Sequence, residues 1–254
     1  MPSPQPSGYL LLEDGSRFDG DLFTGNHPAL GEAVFNTSHT GYQEILTDPS
    51  YHRQLMVFTT PHIGNVGTNQ VDVESDQVHA SGAIVRAVTR SPSNWRSEKS
   101  LVDWMKENSV PLLSGVNTRA VVFHLRDHGA MRAGLFPETI PEKEALEQVL
   151  QSPSMSGANL VEEVSTKTIC KYSLQDFAAE WYPGKGESTG LKVVVIDFGV
   201  KRSILAELVR RGCDVTLVPA TMPAKDLLRH EPSGILLSNG PGDPVAVKAG
   251  FSTC

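Results

Sequence analysis

At 254 residues the chain can bury one large core or two modest ones, and its 39% hydrophobic and 20% charged content is that of an ordinary globular protein. A net charge of −7 argues against nucleic acid or an anionic membrane as a general partner, and no apolar run has the length that spans a bilayer. Three cysteines, Cys170, Cys213 and Cys254, show neither paired nor metal-type spacing, which fits reduced thiols in a cytoplasmic protein.

The first residues, 1–8, are Pro/Ser-rich without a basic-then-apolar leader pattern and read as a disordered tail. Tyr9–Leu12 and Arg17–Leu22 flank Asp14–Gly15, a hairpin signal. Glu32–Asn36, Gln54–Thr60 and Gly82–Thr89 read as further strands, with β-branched and aromatic residues on alternating positions. The polar stretch Asn36–Tyr51 between two of them reads as a loop with hydroxyls at its Asp48–Pro49–Ser50–Tyr51 tip, either solvated or set to meet a polar ligand. Ser97–Asn108 and Thr118–Asp127 have helical spacing, closed by Pro111 and Gly129; Ala130–Phe136 reads as a strand and Pro141–Leu150 as a helix with an acidic start. This pattern predicts a mixed α+β domain over 9–150.

Residues 151–190 read as a linker, rich in Ser, Pro and Gly. Lys192–Asp197 is a solid β-branched run of the kind covered on both faces, Ser203–Arg211 an amphipathic helix ended at Gly212, and Asp214–Pro219 a second strand. Ala224–Arg229 follows as a short helix and Gly234–Leu237 as a third strand. The βαβαβ order predicts the first three strands of a doubly wound parallel sheet over 191–254, incomplete at that length, with apolar surface left open around Val193–Ile196 and Ile235–Leu237.

The third strand empties into Ser238–Asn239–Gly240–Pro241–Gly242–Asp243–Pro244. Such punctuation can be a plain tight turn, but at the carboxyl end of a parallel strand it can also offer free N–H groups to an oxyanion. Pro61–His62–Ile63–Gly64–Asn65–Val66–Gly67 lacks dinucleotide-fingerprint spacing, and His62 reads as structural. The remaining histidines form no metal-type cluster, so no metal site is expected. None of the cysteines sits in a Gly-x-Cys-x-Gly elbow: Cys213 reads as a small hydrophobe just inside a strand, Cys170 falls in the linker, and Cys254 has no helix behind it.

Four stretches together resemble the glutamine-hydrolysing small subunit of carbamoyl-phosphate synthase: Phe35–Tyr51, Pro61–Gly67, Asp197–Lys201 and Leu237–Pro244. The resemblance covers about residues 9–244, and the Asn239–Gly242 motif is shared with class I glutamine amidotransferases at large. It implies ammonia release from glutamine through a cysteine thioester, and a large-subunit partner that uses ATP, Mg and bicarbonate, with no cofactor on this chain. It also implies a cytoplasmic heterodimer serving arginine or pyrimidine biosynthesis, without deciding between them. Carried over by position, Ser50 matches the serine that reaches glutamine from the N-terminal domain. Gly240 and Gly242 match the glycines lining that pocket, with the Gly240 N–H as an oxyanion donor.

The resemblance fades from Val245 onward, and the nucleophile elbow and its His–Glu pair would lie beyond Cys254, so the expectation is a C-terminally truncated, inactive chain with no catalytic residue of its own. Asn117–Thr118–Arg119 also departs from the family's Asp–Thr–Arg. The alternative is a non-catalytic module that binds the large subunit.

Overall fold

The computed structural model describes residues 7–177 and 188–247, which fall into two compact units. The tail expected over 1–8 lies outside the described residues except for Ser7 and Gly8, which already belong to the first strand.

In the first unit, β1 (Ser7–Leu12), β2 (Arg17–Thr24), β3 (Ala29–Asn36), β4 (Gln54–Phe58), β5 (Gly82–Ile84), β6 (Leu112–Ser114) and β7 (Met131–Pro137) close into a barrel in the order β1-β2-β6-β5-β4-β3-β7. The β1–β2 hairpin has the expected turn, with Leu11 opposite Arg17 and Gly15 at φ 86°. β3, β4, β5 and β6 run parallel to one another, whereas β7 pairs antiparallel with both β1 and β3. Alternation along β1 sorts its apolar residues into two cores. Leu10 and Leu12 join Leu22, Leu55, Val57, Ile84 and Leu135 together with Val121 and Leu125 of α3 (Thr118–His128). Tyr9 and Leu11 instead pack with Phe136 and with Ala145 and Val149 of α4 (Glu142–Gln151), where the Tyr9 hydroxyl donates to the Ile140 carbonyl at 2.7 Å.

Two local expectations give way to tertiary structure. The Asn36–Tyr51 loop contains α1 (Tyr42–Thr47) and a 3-10 turn at Pro49–Tyr51. Buried Gln43 makes reciprocal hydrogen bonds with the main chain of Asn69, donating at 2.7 Å and accepting at 3.0 Å. A polar residue can thus sit in the core because both of its amide atoms are satisfied. The strand expected over Gly82–Thr89 is only three residues long, and beyond it Val88 forms an isolated bridge with Ile63. α2 (Leu101–Glu107) is capped by Ser100, whose hydroxyl accepts from Asp103 N at 3.0 Å.

The second unit gathers Asp48–His52, Val73–Ser75 and the chain from Met155 onward. Its sheet contains β9 (Lys192–Asp197), β10 (Asp214–Pro219) and β11 (Gly234–Leu237) in parallel, in the order β11-β9-β10, as the βαβαβ pattern predicts. A fourth strand corrects the linker expected over 151–190: β8 (Cys170–Tyr172) pairs antiparallel with β10, and α5 (Val161–Val164) precedes it. The Pro183–Gly190 part of that linker lies mostly outside the described residues.

Helices cover both faces of β9. Leu205, Ala206 and Val209 of α6 (Arg202–Arg210) pack on Val195, Val215 and Leu217, and Leu227 of α7 (Ala224–Leu227) packs on Val194, Ile196 and Val218. Val194–Ile196 is therefore buried, against the open surface expected there, while Ile235 and Leu237 of the edge strand are 49% and 50% exposed. Cys213 stands just ahead of β10 rather than inside it.

Candidate functional site

The chain leaves β9 for β10 on one side and returns to β11 on the other, so the strand order reverses at β9. In open α/β sheets a crevice forms at the carboxyl ends of the strands flanking such a reversal. Here those ends are Asp197–Lys201 after β9 and Ser238–Asp243 after β11.

The turn after β9 is built on Asp197. One carboxylate oxygen accepts from the N–H groups of Gly199 (2.9 Å) and Val200 (2.8 Å), and the other accepts from Thr166 N (2.7 Å). A carboxylate can accept several donors at once, which pins the turn. Gly199 lies at φ 118°, and an added Cβ there would stand 2.9 Å from Val164 and 3.1 Å from both Pro49 and Pro241. Only a glycine lets these three segments converge.

The turn after β11 is tied to the first. Ser238 Oγ accepts from Phe198 N at 2.9 Å, and Asn239 Oδ1 accepts from Lys201 N at 3.2 Å. Gly240 packs on the Phe198 main chain, where an added Cβ would overlap the carbonyl oxygen and lie 2.9 Å from its carbon. Gly242, at φ 83°, leaves room for the Ala158 carbonyl, 2.6 Å from an added Cβ. Asp243 completes the turn by donating its N–H to that carbonyl at 3.1 Å and accepting from Gly157 N at 3.1 Å and Val245 N at 2.9 Å. Both glycines thus have a steric reason to be there, as the plain-turn reading holds. Among the described residues, neither the Gly240 N–H nor the Gly242 N–H donates a hydrogen bond.

Ser50 meets this turn within the same unit. Asp48 caps the Pro49–Tyr51 turn, accepting from Ser50 N at 2.8 Å, with Pro49 at the first position, where a missing N–H costs nothing. Asn239 Nδ2 donates to Ser50 Oγ at 2.7 Å and to Asp48 Oδ1 at 3.3 Å, and Lys201 Nζ lies 3.7 Å from the other Asp48 oxygen. The Asp48 side chain, 11% exposed, is thus a buried charge compensated by donors on three sides. Of the residues singled out from sequence, Ser50 meets Asn239, the chain neighbour of Gly240, while Gly240 packs on Phe198 and Gly242 on Ala158, all in the second unit. Asp48, Asn239 and Asp197 were given no role beforehand. Asp48–Pro–Ser is the pattern of an N-cap, and that signal alone could have flagged the first.

The other candidates sit elsewhere. His62 has its ring nitrogens 3.3 and 3.4 Å from Thr89 Oγ1 on the surface. Asn117 caps α3, accepting from Ala120 N at 3.2 Å, a task that asparagine performs as well as aspartate. Cys170 packs under β8 against the α6 face, Cys213 is at the amino end of β10, and Cys254 lies outside the described residues. Among the described residues no group of three His, Cys, Asp or Glu side chains could hold a metal, and no helix is long and apolar enough to cross a membrane.

Two family models match the chain. Residues 10–135 match the carbamoyl-phosphate synthase small chain, CPSase domain, and residues 194–253 match glutamine amidotransferase class-I. The chain is 47% identical over 255 residues to the carbamoyl phosphate synthase small chain of Thermosynechococcus vestitus, covering 100% of this chain and 66% of that protein. It is 46% identical over 249 residues to the small chain of a Nostoc species (96% and 64%), and 45% identical over 244 residues to that of Syntrophotalea carbinolica (94% and 64%). The chain therefore spans about two thirds of the length of these curated relatives.

Proposed function

This chain belongs to the carbamoyl phosphate synthase small chain family, and on that premise we propose that it forms the glutamine-binding part of an amidotransferase subunit that passes ammonia to a large subunit. The observation that carries this reading is the donor-lined turn at the carboxyl ends of β9 and β11, with the Ser50 hydroxyl drawn to it through Asn239. Unpaired N–H groups in such a turn suit an oxygen that gains negative charge as a carboxamide is attacked. Gly240 is the proposed oxyanion donor, and Ser50 and Gly242 the groups that help to hold glutamine. Losing one such donor typically slows acyl transfer by about 10²–10³.

The sheet then serves as the opening of a doubly wound amidotransferase domain, and 9–150 as the domain particular to the small subunit. Attack on the amide requires a thiolate with a base beside it. Neither Cys170 nor Cys213 stands at the crevice and Cys254 lies outside the described residues, so the part proposed for the described residues is glutamine binding. ATP and Mg are assigned to the large subunit, the pair to a cytoplasmic heterodimer, and the product to arginine or pyrimidine synthesis.

The same placement of the cysteines favours a second reading, a module that docks on the large subunit and takes no glutamine. Both readings predict co-elution with a carbamoyl phosphate synthase large chain, and carbamoyl phosphate formation from ammonium by that complex. Failure to form that complex would overturn both. Saturable glutamine binding at Ser50, Gly240 and Gly242 separates the first reading from the second.

A further inference from the structure

We infer that Asn239 is a positioning residue that turns the Ser50 hydroxyl into an outward hydrogen-bond donor, so that this point of the crevice favours an oxygen of the ligand. The inference rests on the glutamine-binding reading above. A carboxamide has two different ends, and here the chain chooses between them twice. Lys201 N can only donate, so the atom 3.2 Å from it must be the Asn239 oxygen. The Asp48 carboxylate accepts, so the atom 3.3 Å from it must be the Asn239 nitrogen. The orientation follows from the partners and not from the similar shapes of the two ends.

With its amide fixed in this way, Asn239 presents an N–H to Ser50 Oγ at 2.7 Å, and the serine oxygen is an acceptor there. The hydroxyl proton must then point elsewhere, and among the described residues it finds no acceptor. Asp48 completes the arrangement by holding Ser50 N at 2.8 Å, which sets the direction from which the side chain leaves the backbone. A serine hydroxyl that could turn either way would greet donors and acceptors alike. With one lone pair taken by Asn239 and its proton left to point outward, it favours a ligand acceptor.

The test uses the whole chain, isotopically labelled, with L-glutamine as the probe. Without ligand, Ser50→Ala should move the Asn239 side-chain amide resonances, while an exposed control such as Ser109→Ala leaves them in place. Unmoved resonances in Ser50→Ala would overturn the inference whether or not glutamine binds. In a glutamine titration, Ser50→Ala and Asn239→Asp should each weaken binding about tenfold to a hundredfold, as loss of a hydrogen bond to a charged group does. The double variant should be no weaker than either single one, because Asn239 acts through Ser50. Losses that add would show two independent roles and refute the positioning. Asn239→Ala replaces the Asp variant if the latter melts early, with the same expectation. A wild-type chain that takes no glutamine would sink the functional reading, and the amide resonances would still decide the contact.

Discussion

Gly240→Ala perturbs the crevice at its tightest point. The new Cβ would overlap the Phe198 carbonyl oxygen and stand 2.9 Å from its carbon and 3.0 Å from its Cβ. Phe198 cannot turn aside freely, because its N–H donates to Ser238 Oγ at 2.9 Å and the next N–H is held by Asp197 at 2.9 Å. Relief must come from prying the turn after β11 away from β9. Overpacking costs about 1–3 kcal/mol, and a main-chain obstacle places this case in the upper part of that range. In a unit of roughly a hundred residues, about 2–3 kcal/mol lowers Tm by about 8–12 °C. Gly234→Ala is the control: nothing lies within 4 Å of its added Cβ and its φ is not left-handed. It should melt at the wild-type temperature or slightly above, since alanine restricts the unfolded chain by about 0.4–1 kcal/mol. Differential scanning calorimetry of the two variants at equal concentration decides the matter. Equal losses in both, or none in Gly240→Ala, would refute the steric reasoning.

Asp197→Asn leaves one acceptor oxygen where two served three N–H groups, and should destabilise the second unit by about 2–4 kcal/mol in denaturant titration. Asp176 is held below the usual carboxylate range by the Ser173 N–H and hydroxyl, with Arg202 adding to the effect against modest burial. A depressed folded-state value means that its contribution is full above about pH 4 and fades as pH falls through that lower value. Asp176→Asn should therefore flatten the acid limb of the Tm–pH curve and leave its shape above pH 5 unchanged. Ile235 is 49% exposed on an edge strand, so Ile235→Lys should reduce concentration-dependent self-association in sedimentation velocity with little change in Tm.

The elements with a strong period were legible in the sequence. The β-branched run Lys192–Asp197 announced a strand covered on both faces, and α6 and α7 do cover it. The hairpin at Asp14–Gly15 follows from the turn residues alone. Barrel closure was not legible, because the parallel pairing of β3, β4, β5 and β6 joins strands whose register no local turn specifies. β8 is three residues long, and its Cys170 and Tyr172 gain their strand character only by packing on the α6 face. α1 is a six-residue helix with Gln43 and Thr47 buried, a choice that makes sense only once the Asn69 main chain is beside it. In the crevice, Ser50, Gly240 and Gly242 stood out through motif resemblance. Asn239 lay within the same motif, yet its role appears only with Ser50 and Lys201 placed 2.7 and 3.2 Å away.

Titrating L-glutamine into the labelled chain, and following the backbone amides of Ser50, Gly240 and Gly242, tests the glutamine site most directly. The prediction is saturable shifts centred on these residues, with a dissociation constant in roughly the millimolar range, as suits a small polar ligand held by a few hydrogen bonds. Amides that stay fixed there at saturating glutamine, or shifts centred elsewhere in the chain, would contradict it.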